Sequence, residues 1–215
     1  MPQASVSITL TNAGKKFGKD WIFRRVNLEL QPGDKLVILG LNGSGKSTLL
    51  QALSGYLTLN EGALQFSEVA TTIDPEKQYN YISLASPYLE LIEDFTLEEM
   101  IRHAAVYKPF MNNLSIEQVI GLSGLEAHRH KFIRLFSSGM KQRLKLILAI
   151  LADTPVLLLD EPTTNLDASV IKWYGTMIAE YAAHKTIVVA SKSIKEEYAF
   201  CTRELQMSDF KHSKP

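Results

Sequence analysis

Residues 40–48 read GLNGSGKST, in which Gly40, Leu41, Asn42, Gly43, Ser44, Gly45, Lys46, Ser47 and Thr48 match the phosphate-binding spacing G-x-x-x-x-G-K-[ST]. Glycines at 40, 43 and 45 let backbone N–H groups converge on phosphate oxygens. A helix start directly after them adds the positive end of its dipole. Lys46 has the reach for β- and γ-phosphates, and the Ser47 hydroxyl can ligate Mg2+. A second pattern complements the first. Residues 156–161, VLLLDE, are four apolar positions followed by two carboxylates. On a buried strand this places Asp160 and Glu161 at an exposed tip. Asp160 is suited to hold Mg2+ through water, and Glu161 to polarise an attacking water as general base. Together the two patterns specify nucleoside triphosphate chemistry, which many classes of protein share.

These residues need strands that end at one edge. The runs LVIL, VLLL and TIVVA are unbroken and apolar, as in a parallel sheet covered on both faces. A helix is predicted from Lys46 to Ser54 and strands at GALQF and YNYISL. From about residue 87 to 151 the period becomes helical. TLEEMIRHAAVY opens with a capping box, Thr96 and Glu99, and SIEQVIGL and SSGMKQRLKLILAILAD begin two more helices. Strand signals return at PVLLLD, TIVVA and RELQM, with helices predicted over residues 171–183 and from Ile194.

Composition narrows the class by exclusion. Lys+Arg 23 against Asp+Glu 23 leaves no net charge, so no global field recruits nucleic acid or an anionic membrane. The longest central apolar run, residues 146–152, is too short to span a bilayer. The opening MPQASVSITL lacks the basic and apolar regions of a secretion signal, and the last residues, KHSKP, read as a frayed end. A single cysteine, Cys201, excludes an internal disulfide. A cytoplasmic protein is expected.

Two further motifs separate the phosphate-loop classes: FSSGMKQR at residues 136–143 and EPTTNLD at residues 161–167. With all four in order and spacing, the chain resembles the ABC-type ATPases, the nucleotide-binding subunits of ATP-driven transporters, over essentially its whole length. The resemblance implies an α/β fold: a P-loop NTPase three-layer sheet core with an inserted helical subdomain and an N-terminal antiparallel β part. A single domain would span residues 1–215, with about 1–86 and 152–215 as core and about 87–151 as the helical subdomain. It further implies ATP and Mg2+ as ligands, and head-to-tail pairing of two subunits, as homodimer or heterodimer. Each ATP is then closed over by the partner's signature motif. Ser137 and Gly139 occupy that motif's serine and second glycine, while Ser138 stands where glycine is usual. Phe17 matches an aromatic that stacks on adenine, although packing on its own domain is the alternative. Asp167 matches the loop that crosses the dimer axis.

Two positions depart from the family pattern. A glutamine that touches Mg2+ and the attacking water is missing, and Ser86 aligns at its place. The γ-phosphate-sensing histidine is replaced by Lys192, after Ser191. Two readings of Lys192 stand: charge stabilisation of the transferring phosphoryl group, or a surface lysine turned to solvent. The resemblance also implies a separate transmembrane permease, docked near Ser86 on residues 86–96, with the subunit peripheral on the cytoplasmic membrane face. Small exporter ATPase subunits are the most similar class. An ATP-dependent dimerising regulatory module with little hydrolysis is the alternative.

Overall fold

The computed structural model describes residues 5–69 and 71–210. Residues 1–4 and 211–215, including the KHSKP end and part of the opening stretch, lie outside the described residues. Strands β1 (Val6–Phe17), β2 (Asp20–Leu30) and β3 (Lys35–Leu39) lead into helix α1 (Lys46–Leu53). Strands β4 (Glu61–Glu68), β5 (Thr71–Thr72) and β6 (Ile82–Ala85) follow, then helices α2 (Leu97–Tyr107), α3 (Ile116–Ser123) and α4 (Ser138–Leu151). The chain returns through β7 (Val156–Asp160), α5 (Ala168–Tyr181), β8 (Thr186–Ser191), α6 (Lys195–Tyr198) and β9 (Arg203–Gln206).

The strands form an antiparallel sheet, β2-β1-β4-β5, and a five-stranded parallel sheet, β6-β7-β8-β3-β9. Side chains of the central parallel strands alternate between two apolar clusters, as the two-residue strand period requires. Val37, Leu39, Leu157, Leu159, Ile187 and Val189 join α2–α5 in one. Leu36, Ile38, Val156, Leu158, Val188 and Ala190 join α1 and the antiparallel sheet in the other. Both faces are thus dry, which is why these strands read as unbroken apolar runs.

Local chemistry sets the helix starts. Thr96 and Ser115 each close a capping box, Ser137 caps α4, and Asp167 caps α5 through Ser169 N–H and Val170 N–H. The Asp167 cap moves the start of α5 to Ala168, earlier than the apolar period alone indicates. Two expectations are corrected. Tyr79, Asn80 and Tyr81 are not strand: Asp74 caps and Pro75 opens a 3-10 turn over Pro75–Tyr81, so β6 starts at Ile82. The helix expected from Ile194 is a single turn, α6.

The end of α4 is closed by a lysine with no exposed surface. Lys185 Nζ donates to Ile150 O at 2.9 Å and Ala152 O at 2.5 Å, supplying donors to carbonyls that the helix leaves unpaired. Burial pulls its ammonium pKa down to about 7. An unfolded lysine titrates near about 10.4, so between these values the unfolded chain holds more protons and stability rises with pH. Lys185→Met should flatten that rise, read as urea unfolding free energy at about pH 7 and about pH 9.5. An unchanged slope would mean that another group titrates.

Candidate functional site

The loop between β3 and α1 is held open by backbone conformation. Gly45 caps α1 at φ 99°, and a Cβ there would lie 2.5 Å from Ile22 Cγ2 on β2, so only glycine fits. No acidic side chain stands in the first turn of α1, which leaves its positive end for an anion. Lys46 is buried, and its Nζ donates to Gly40 O at 2.9 Å and Leu41 O at 3.1 Å. Burial lowers the pKa of its ammonium, opposed by Glu161 and Asp160. Ser44 Oγ is buried without a protein partner. An unmet hydroxyl in a glycine loop beside a lysine fits an oxygen-rich anion.

Asp160 ends β7 and is buried between two hydroxyls. Ser47 Oγ donates to one carboxylate oxygen at 3.0 Å and Ser86 Oγ to the other at 3.2 Å. Burial raises its pKa, and the two hydroxyls counter this in part. A hard cation would relieve the buried charge better, and two hydroxyls with one carboxylate are oxygen donors of the kind Mg2+ takes. Among the described residues no cluster of three or more His, Cys, Asp or Glu is set to hold a metal.

Glu161 follows in a left-handed backbone, φ 43°, with its N–H on Ala190 O at 2.9 Å. Its carboxylate lies between two ammonium groups, 2.7 Å from Lys192 Nζ and 3.9 Å from Lys46 Nζ. Lys192 thus pairs with Glu161 at the edge of the site while its side chain stays 39% exposed. Its hydrogen bond to Glu161 raises its pKa and holds it charged.

The other expected residues are more dispersed. Phe17, half exposed at the end of β1, has Lys15 Nζ 5.3 Å from its ring centroid. Leu41 and Asn42 are exposed, and Thr48 sits in α1 beside Ser47. Ser137 Oγ accepts the Met140 N–H at 3.2 Å. A Cβ on Gly139 would meet Asn165 O at 2.9 Å, so this glycine permits the contact between α4 and the loop after β7. Ser137, Ser138, Gly139 and Asp167 line a hollow of about 460 Å³ to which no residue of the 40–48 loop contributes. Within one chain the signature motif and the phosphate loop are not brought together. The Asp167 carboxylate is taken up by its cap on α5. Sequence reasoning missed Thr163 and Glu197, which hydrogen-bond to each other beneath the site, and Gln142, whose Nε2 donates to Pro162 O at 3.0 Å. Thr163 and Gln142 lie inside the EPTTNLD and SSGMKQR patterns without being singled out by them, and Glu197 lies in neither.

Comparison with known proteins agrees with this arrangement. The ABC transporter family profile matches residues 23–164, more than half of the chain. An uncharacterised ABC transporter ATP-binding protein of Bacillus subtilis is 29% identical over 191 residues, 88% of this chain and 62% of its own length. The chain thus spans less than two thirds of that relative. The cytochrome c biogenesis ATP-binding export protein CcmA of Agrobacterium fabrum is 27% identical over 215 residues, 95% of this chain and 97% of its own. Import ATP-binding proteins for ferric ions and for sulfate or thiosulfate are also relatives. A dimeric ATP-binding cassette solved in a post-hydrolysis state with ADP and Pi shares the fold, with TM-score 0.77 and 22% identity over 93% of each chain. With the phosphate loop, the paired carboxylates and the family profile on one framework, the chain belongs to the ABC transporter family and is similar to its ATP-binding proteins.

Proposed function

We propose that this subunit binds MgATP on residues 40–48, closes head to tail on a second cassette, and hydrolyses ATP to energise a separate transmembrane permease. The observation that carries the reading is the convergence of Lys46, Ser47, Ser86, Asp160, Glu161 and Lys192 on one edge of the parallel sheet. Lys46 exchanges the Gly40 and Leu41 carbonyls for phosphate oxygens, and the unmet Ser44 hydroxyl gains an acceptor. Ser47, Asp160 and Ser86 hold Mg2+, which when bound supplies charge neutralisation at the phosphate oxygens. Glu161 takes a proton from the attacking water as the new P–O bond forms and the bond to the bridging oxygen breaks, releasing ADP. Lys192 follows the growing negative charge onto the γ-phosphate, and its departure leaves the Glu161 carboxylate free to act as base. Phe17 offers the adenine a stacking face.

Closure by a second subunit is supported by the separate hollow of Ser137, Ser138 and Gly139, a helix N-terminus without a phosphate loop of its own. The subunit would be a homodimer or heterodimer, placed peripherally on the cytoplasmic membrane face. No helix among the described residues is long and apolar enough to cross a membrane. A groove of about 430 Å³ beside Ser86 supports docking of the permease there: Tyr79, Tyr88 and Leu89 line it and are exposed, whereas Leu91 packs inward on the core. The near end-to-end match to an export protein supports the export direction. One observation favours the alternative, a dimerising module with little hydrolysis: Glu161 is already neutralised by Lys192.

Phosphate release and nucleotide affinity, measured on the same preparations, separate the two. Lys46→Ala should abolish ATP binding, and retained affinity would mean that the phosphate loop is misassigned. Glu161→Gln should lower turnover by about 10² or more while ATP still binds. Equal background rates in wild type and Glu161→Gln, with the permease present, would favour the low-hydrolysis module. Lys192→Ala should lower turnover about tenfold with affinity held. A rate that instead rises would identify the lysine as a brake on Glu161. Tyr88→Ala with Leu89→Ser should weaken capture of the permease and leave the nucleotide affinity of the isolated subunit unchanged.

A further inference from the structure

Glu197 stands in a charged run, Lys195, Glu196 and Glu197, yet has no exposed surface. Its Oε1 accepts the Thr163 N–H at 3.2 Å and the Thr163 hydroxyl at 2.8 Å. Its Oε2 accepts the Ser191 hydroxyl, and Ser191 Oγ in turn accepts the Ile194 N–H at 3.3 Å. Its backbone carbonyl accepts the buried Tyr174 hydroxyl at 2.9 Å, which fixes the turn of α6 on α5. Among the described residues the carboxylate is met by hydroxyl and N–H donors and not by an ion pair. Burying a carboxylate without a cation is costly, and an apolar side chain would fill the same space at less cost. What the carboxylate adds is geometry.

Its two partners each adjoin a reacting group. Thr163 lies two residues after Glu161, and Ser191 immediately precedes Lys192. Pro162, between Glu161 and Thr163, is tied by its carbonyl to Gln142 of α4. One buried side chain therefore links the loop that leaves the general base to the strand tip that carries the lysine. The geometry points to Glu197 as a positioning residue of the hydrolytic site: its carboxylate clamps the loop after β7 to the tip of β8 and so sets the Glu161–Lys192 pair. This rests on the hydrolytic reading of the subunit. The phosphate loop lies outside the clamp, so loss of the clamp should act on turnover and spare binding.

The test measures kcat per nucleotide-binding site, titrated with a fluorescent ATP analogue, and KM for ATP in the full chain with its permease. The variants are Glu197→Gln, Ser191→Ala and Thr163→Val, the last two small enough to keep the core filled. Glu197→Gln should lower kcat about a hundredfold, as misplacement of a reacting group does, with KM within about threefold. Adding Ser191→Ala to Glu197→Gln should cost little more than Glu197→Gln alone, because both break one link. A merely structural role would lower thermal stability and the number of binding sites without moving kcat per site. Wild-type kcat per site in all three variants overturns the clamp alone. Wild-type turnover no greater than that of Glu161→Gln overturns the hydrolytic reading and the clamp with it.

Discussion

The candidate site depends on the in-register parallel pairing of four adjacent strands. Ala85 pairs with Leu159, Asp160 with Ala190, and Leu39 with Ser191, so β6, β7, β8 and β3 end at nearly the same level. Ser86, Glu161, Lys192 and Gly40 are the next residues out, one from each strand. No two of these strands are joined by a short hairpin, so nothing local sets the alignment. The two-sided apolar core does. A slip of one residue would swap the side chains that face α2–α5 with those that face α1 and the antiparallel sheet. It would also turn Asp160 away from Ser47 and Ser86. Packing that stabilises the sheet and geometry that builds the site are thus one constraint.

That edge gathers charge that water would otherwise solvate. Asp160 relies on two hydroxyls, Glu161 on two ammonium groups, and Glu197 on two hydroxyls and an N–H. The left-handed backbone at Glu161 adds strain on the order of 1 kcal/mol or more. Across it, two consecutive carboxylates take different partners, Asp160 the Ser47 and Ser86 hydroxyls and Glu161 the Lys192 and Lys46 ammonium groups. Cooperative packing of the surrounding strands holds the conformation that the isolated segment would leave.

Features carried by contiguous residues were legible in the sequence. The 40–48 loop, the carboxylates of VLLLDE, the Thr96 capping box and the buried parallel strands each depend on spacing within one segment. The fold class followed from them and from the resemblance. Features that need two distant segments were less legible. The partner of Lys192, Glu161, lies thirty-one positions away in the chain. Glu197 carried no signal in the sequence, because a one-turn helix has no apolar period to mark its buried side. The turn at Pro75–Tyr81 was missed because the aromatic residues Tyr79 and Tyr81 imitate strand composition, whereas Asp74 and Pro75 decide the backbone.

The Lys46 ammonium rests on the carbonyls of its own loop. The loop is thus shaped around an ammonium group of its own. On the proposed reading, a triphosphate asks one side chain to change acceptors and leaves the turn that carries it in place. Departure returns the ammonium to the same two oxygens. In the proposed cycle the binding loop therefore resets by one side chain changing acceptors, without refolding.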